Sequence, residues 1–376
     1  MGINNKDTRF VKIRFGGDLM LGSQVLEKIN KHGPTFPFDK IINEKKKSPH
    51  IFFVNLECTL SKNNHPPHPH KILLHSDPKI VEGLKKARIN IVSLANNHSF
   101  DYGLTGFTET KNLLVNTAIK TVGGGMNINE ASKSTEIKTN GIHLVFLAYC
   151  SKDSGCRHFA TETDYGVADI EPKEIHRDIQ KAKEYADVVI VSLHWGDEFM
   201  DYPNPGQVDM ARRFIEKGAT IVIGHHAHVF QGYEKHLNGL IIYDLGSFVF
   251  GDIIQKGYKF FLRKRKHKEG MMVECAVGKM GLMDLQFIPI YINDNFQVTL
   301  AKDLKGEKIR HRFYAQSKRI KTNNYQLFYK KYACKVSLLK SISKVCRIIR
   351  KMLHPQNWYR IGSRTIKKCF FSILYR

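Results

Sequence analysis

Seven nearly uninterrupted apolar runs constrain this chain more than any other feature. They are "VKIRFGGDLML", "HIFFVNLECTL", "INIVSLANNH", "IHLVFLAYC", "DVVIVSLHWGDEF", "ATIVIGHHAH" and "LIIYDLGSFVF". Each has the length and the β-branched and aromatic content of a buried strand. Helix-like stretches lie between them, at 105–119, at 173–186 and in "PGQVDMARRFIEKG". Strands alternating with helices predict an α/β architecture with parallel or mixed sheets. In such sheets ligands gather at the carboxyl ends of strands.

Those ends are where the polar residues sit. Six of the seven runs finish on Asp18, on Glu57, on Asn97 with His98, on His194, on His225, His226 and His228, and on Asp244 with Ser247. A lone acid after a strand usually caps the next helix. A lone histidine such as His194 is more often a satisfied core residue. A ligand-type residue at the same end of so many strands is a different matter, and it predicts a metal site assembled by the fold.

Composition bounds what surrounds that site. The 376 residues are 42% hydrophobic, enough for one large domain or two small ones. No run reaches the length of a membrane span. The start, "MGINNKDTRFVKIRF", shows no apolar signal-peptide core, and Lys6 stands where a myristoylation site wants Ser or Thr. The seven cysteines are odd in number and contain no CxxC pair, which suits free thiols in a reducing compartment. We therefore expect a cytoplasmic protein, peripheral at the inner face of a membrane.

The last expectation comes from charge. From Leu304 onward there are twenty Lys and Arg against one acid, Glu307, so +19 of the net +24 lies there and the first 303 residues carry +5. We expect a folded domain over 8–303 and a basic helical extension over 304–376. In "YQLFYKKYACKVSLLKSISKVCRIIRKML", Phe328, Tyr332, Val336, Leu339, Ile342, Val345, Ile349 and Met352 recur every three or four residues, with Lys and Arg opposite. Such a helix suits an anionic membrane surface or polymer-synthesis machinery; the bland reading is a helix docked on the body or on another subunit. The chain has no recognised nucleic-acid motif, so nucleic acid is not favoured.

Six of these segments, "GGDLMLG", "NLECTLS", "SLANNHSFDYG", "VSLHWGDEF", "IGHHAHVFQGYE" and "IIYDLGSFVF", occur in an order that resembles the CapA family of bacterial capsule and poly-γ-glutamate synthesis proteins. That family belongs to the calcineurin-like metallophosphoesterases. The resemblance spans roughly residues 8–290 and leaves the basic tail uncovered. It implies a four-layer sandwich of two mixed sheets flanked by helices, with one or two divalent ions (Mn, Zn or Fe). Matched position by position, it implies metal ligation by Asp18, Glu57 as bridge, Asn97, His194, His226 and His228. It makes His98 a catalytic acid or oxyanion partner, and Asp18 a catalytic ligand. His225 is read as a neighbour without a role.

The chemistry suits these residues. Two cations about 3.5–4 Å apart acidify a water and stabilise charge at the attacked centre. A bridging carboxylate offsets their repulsion, and imidazole and amide ligands add donors without excess negative charge. Two departures from the superfamily pattern stand out. Met20 occupies the place of a ligating histidine, and Glu57 lengthens the usual aspartate bridge by one methylene. Cys58 is read as packing.

The function implied is a metal-dependent hydrolase of phosphoester or amide bonds, acting on an anionic polymer or its precursor. Two alternatives remain, a non-catalytic assembly or export factor and a nucleotidase-like phosphomonoesterase. Three further segments are read as structural. "HPPHPH", with His65, His68 and His70, is a Pro-rich loop at the rim. Gly123 to Gly125 form a backbone turn, since no phosphate-loop pattern surrounds them. "FLRKRKHKEG" is a basic hairpin tip, either solvated or steering an anionic polymer.

Overall fold

Buried β-branched and aromatic runs pair into two mixed sheets. The computed structural model describes residues 9–42, 49–62, 72–255, 258–261 and 263–353. In chain order its principal strands are β1 (Val11–Leu19), β2 (Ile51–Leu56), β3 (Ile91–Ser93), β4 (Lys120–Val122), β5 (Thr135–Thr139), β6 (Ile142–Cys150) and β7 (Val188–His194). They continue with β8 (Ile221–His225), β9 (Phe230–His236), β10 (Gly239–Leu245), β11 (Ser247–Val249), β12 (Glu269–Gly278), β13 (Gly281–Ile292) and β14 (Val298–Leu300). One sheet runs β14-β13-β12-β1-β2-β3-β4, with β11 also on β1; the other runs β9-β10-β8-β7-β6-β5. Within the first, β1 through β4 are parallel, and β12 joins β1 antiparallel. Within the second, β6, β7, β8 and β10 are parallel.

Strands this apolar on both faces need cover on both. Between the sheets, Phe53 of β2 stacks on Phe146 of β6 with ring centroids 5.8 Å apart. Outside, α1 (Gly103–Asn116) packs on β4, α2 (Pro172–Lys183) on β7, and α3 (Pro205–Glu216) on β8 and β10. The start of α3 is fixed by a capping box. Asn204 Oδ1 accepts from the Gln207 amide at 2.9 Å, and Gln207 Oε1 accepts from the Asn204 amide at 2.8 Å. The result is the expected α/β layering of two mixed sheets and helices.

The boundary of the body differs from the expected 303/304. The chain divides into compact units after Thr322. Helix α4 (Asp303–Ile320) lies against β9 and β13, so the first helix of the basic extension belongs to the body. Its Ile309, Phe313 and Ile320 are buried, spaced four and seven residues apart on one face. The Phe313 ring lies 4.9 Å from Phe287 and 5.6 Å from Tyr233. Ser317 Oγ takes a hydrogen bond from the Tyr233 amide at 2.9 Å. Gly232 makes that approach possible, since a Cβ there would stand 2.9 Å from the Ser317 nitrogen at a φ of +92°.

The second unit is described from Asn323 to Leu353 and consists mainly of α5 (Tyr325–Leu353). No helix among the described residues is long and apolar enough to cross a membrane.

If α4 is part of the core, Phe313→Ala should lower unfolding stability by about 3–5 kcal/mol. Leu338→Ala, on an exposed position of α5, should change it by less than about 0.5 kcal/mol. Urea denaturation of both variants checks this, and equal small effects would place α4 outside the core.

Candidate metal centre

The parallel pairing brings distant strand ends to one level. Asp18 pairs in register with Asn55 of β2 and Ser247 of β11, and His194 pairs with His225. Gly17 permits the crowding at the end of β1, because a Cβ there would lie 1.7 Å from the Gly246 carbonyl oxygen. After β8 the chain turns through positive φ at His226 (+99°) and His228 (+56°). Non-glycine residues adopt this region at a cost, which the surrounding structure must offset. Here the turn has a hydrogen bond at its centre, where the Ala227 amide donates to Asp244 Oδ2 at 2.8 Å.

Two groups of side chains result, each able to hold a cation. Asp18, Glu57 and His228 form one, and Glu57, His194 and His226 form the other; within each, the ligand atoms lie within 4.8 Å of one another. Glu57 belongs to both. Its Oε1 is 3.8 Å from His194 Nε2 and 3.8 Å from His228 Nε2. Asp18 Oδ2 accepts from His228 Nδ1 at 2.9 Å. Asn97 Oδ1 lies 3.0 Å from His194 Nε2, which adds an amide oxygen at the edge of the second group. His98 stands beside them, with its Nδ1 2.7 Å from Asp101 Oδ2. All six residues expected as ligands, and His98, are thus gathered at one place.

Glu57 tests whether a cation fits. It is fully buried, and neither carboxylate oxygen has a hydrogen-bond partner. A buried carboxylate without a partner costs several kcal/mol if charged. Burial pushes its pKa well above the ordinary value, and the Asp18 charge pushes it further despite the opposing pull of His228. His194 is driven well below its usual value by burial and then by the neighbouring histidines, and His226 falls to about 3 for the same reasons. Both rings are therefore neutral, the form that ligates. At His228 burial is outweighed by Glu57 and Asp18, which raise it to about 10. An orphaned carboxylate beside the neutral imidazoles of His194 and His226 is a donor set that suits a borderline divalent cation, and a cation at the Asp18 side would take the place of the His228 proton.

Several contributors escape a reading by strand ends. Asn55, inside β2, donates through Nδ2 to Asp18 Oδ1 at 2.9 Å and faces His194 Nδ1 at 3.2 Å. Asn96 donates to Asn55 Oδ1 at 3.1 Å and to the Leu56 carbonyl at 2.8 Å, while its Oδ1 accepts from the His98 amide at 3.1 Å. These amides orient the ligands and the His98 loop together. A polar residue in the fully buried "IFFVNL" run was the available signal for Asn55. Glu198, on the loop after β7, reaches within 4.0 Å of His228 Nε2.

Other positions contribute packing. The Met20 thioether is buried and accepts from the Gly22 amide at 3.1 Å, a local backbone contact. Burial lifts the Cys58 thiol to about 12, so it stays neutral. His225 is wholly buried beside Phe53, with its Nδ1 3.6 Å from Asp18 Oδ1, and belongs to neither ligand group. Gly123 packs against Ala95 and Ala148. His65, His68 and His70 lie outside the described residues.

With the geometry in place, a sequence profile described as "Bacterial capsule synthesis protein PGA_cap" matches residues 12–252. The chain belongs to this family. It is similar to the capsule biosynthesis protein CapA of Bacillus anthracis, with 27% identity over 320 residues, 84% of this chain and 74% of that protein. It is also similar to the PGA biosynthesis protein CapA of Bacillus subtilis, with 28% identity over 296 residues, 78% of this chain and 75% of that protein. Among solved structures it resembles a calcineurin-like phosphoesterase of Bacillus subtilis, with 14% identity, a TM-score of 0.39, and coverage of 83% of this chain and 98% of that one. The family match contains every ligand-group residue of this capsule-synthesis protein and stops short of α4 and α5.

Replacing Asn97 and His194 together by alanine should lower bound metal by at least one equivalent in protein purified without chelators. Elemental analysis reads this directly, and wild-type metal content in the double variant would reject the assignment.

Proposed function

We propose that this protein is a metal-dependent hydrolase in the production of a poly-γ-glutamate-type capsule polymer. The observation that carries the reading is the partnerless Glu57 carboxylate shared by two ligand groups. Asp18, Glu57 and His228 would hold one ion, and Glu57, His194, His226 and Asn97 a second. Imidazole, amide and carboxylate donors suit Mn²⁺, Zn²⁺ or Fe²⁺. When bound, such ions supply Lewis-acid charge and acidify water.

The chain's own residues supply the rest. Asp101 Oδ2 holds His98 Nδ1 and also accepts from the Leu74 amide at 2.8 Å, so the ring is fixed. This leaves Nε2 of His98 to give a proton to the leaving oxygen or nitrogen. The site lies in a family of capsule synthesis proteins, and relatives are named for capsule biosynthesis, PGA biosynthesis and polyglutamine synthesis. The reading therefore takes an anionic polymer or its precursor as substrate, with an amide or phosphoester as the bond cut.

Metal-loaded protein should hydrolyse either a phosphoester or a poly-γ-glutamate chain. His98→Ala should lower kcat by about 10²–10⁴ with metal content unchanged. Loss of neither bond class in fully loaded wild-type protein would favour a non-catalytic assembly factor, and cleavage of nucleoside monophosphates alone would favour a nucleotidase.

The second unit supports peripheral attachment to an anionic membrane surface. Helix α5 carries eight Lys and Arg and no acid, and its Leu338, Leu339 and Ile342 are exposed. Basic residues near an anionic surface contribute about 1 kcal/mol each, and the apolar groups make part of the binding resist salt. The full chain should sediment with phosphatidylserine vesicles at low salt, and a chain ending at Thr322 should not. Equal sedimentation of the two would reject this role for α5.

A further inference from the structure

The loop after β7 has two functional ends. At one end His194 and Glu198 face the metal centre. At the other, Asp201 and Tyr202 line an open cavity of about 260 Å³. The remaining wall comes from Val229 and Phe230, directly after His228, from Lys266, and from Arg312 and Gln316 of α4. Typical ligand pockets hold about 300–1,000 Å³. This cavity is the size of one residue-sized group rather than of a whole ligand.

Its walls are fixed. Gln316 Nε2 donates to the Asp201 carbonyl at 2.9 Å and ties α4 to the loop. Lys266 Nζ donates to the Phe199 carbonyl at 2.8 Å and to Asp201 Oδ1 at 3.1 Å. The Phe199 ring in turn lies 5.9 Å from that of His228. The cavity and the metal centre are thus joined through one rigid segment.

The charge there is not balanced. Arg312 and Arg265 both pair with the buried Glu269, and Lys266 pairs with Asp201. Among the described residues, the cavity itself is lined by two cations, Lys266 and Arg312, and one carboxylate, Asp201. The Arg312 guanidinium lies over the Phe230 ring, 5.2 Å from its centroid, which orients the fork before any ligand arrives. Its side chain is 45% exposed, so the group remains reachable. Two other cations of the basic run 261–270 are used elsewhere. Arg263 pairs with Asp252 and Lys268 with Asp294, so this segment is no free hairpin tip.

We propose that this cavity is a carboxylate-binding subsite, which seats one acidic residue of a polymer chain while a neighbouring linkage lies at the metal centre. The proposal rests on the polymer reading above and names the residues that recognise the chain. Arg312 gives two parallel N–H donors to the carboxylate, as guanidinium groups do. Tyr202 and Phe230 supply apolar walls for the aliphatic part of the residue. Arg312 lies beyond the residues matched by the family profile, so the preference for acidic chains belongs to this chain's α4 rather than to the shared strand ends.

The test uses the full chain with metal removed by chelator, so that binding is read apart from hydrolysis. The probes are a γ-linked glutamate pentamer, the matching γ-linked glutamine pentamer and inorganic phosphate, followed by calorimetry. The acidic pentamer should bind at least about tenfold more tightly than the amide pentamer. Arg312→Gln should remove about tenfold of that affinity, equal to about 1.4 kcal/mol, and Arg312→Lys should restore part of it. Ala315→Trp fills the cavity from an exposed position without altering charge, and should block the acidic pentamer equally. Equal binding of the two pentamers, or unchanged binding in both Arg312→Gln and Ala315→Trp, would overturn the subsite. Phosphate binding that outcompetes the pentamer and survives Ala315→Trp would also overturn it. If loaded protein hydrolyses nothing while pentamer binding depends on Arg312, the hydrolase reading fails and the subsite stands.

Discussion

A fully buried carboxylate with no hydrogen-bond partner is the constraint on which this structure turns. Glu57 is placed by β2 between two sets of imidazoles, and nothing in the described residues satisfies it. A protein interior seldom keeps such a group unless something else meets it. Burial strips His194 and His226 of charge, Asn55 and Asn96 hold the ligands in place, and Gly17 lets β1 approach the β10–β11 junction. Together these features support the proposed reading that the strand ends receive cations.

Much of this was legible in the sequence because the signal was local. Asp18, Glu57, His194, His226 and His228 each follow an apolar run, and parallel strands in one layered fold must place such ends together. Asn97 and His98 were visible for the same reason. Asn55 was harder to read. It sits inside a strand, and only its pairing with Asp18 across β1 reveals its part. The electrostatics of Glu57 also depend on tertiary burial, which no spacing conveys.

The differences from expectation have physical causes as well. Helix α4 was grouped with the basic tail because its surface carries many Lys and Arg. Its three large buried apolar residues, Ile309, Phe313 and Ile320, are few enough to be hidden by that charge. Long basic side chains cover apolar surface while their heads stay in water. The run at 261–270 reads from sequence as a basic hairpin tip because its partners, Asp201, Asp252 and Asp294, come from other parts of the chain. Charge runs reveal their role only when the opposite charges are located. Once α4 belongs to the body, the cavity beside His228 acquires its wall. The second unit then carries a basic, acid-free helix of its own.

The central claim is that Glu57 is shared between two cations. Electron paramagnetic resonance of Mn²⁺-loaded protein tests it most directly, because two ions bridged at about 3.5–4 Å are magnetically coupled. The account predicts a coupled-pair spectrum in the wild-type chain at two equivalents of metal, replaced by isolated-ion signals in Glu57→Ala. Isolated-ion signals in the wild-type chain at full loading would contradict it.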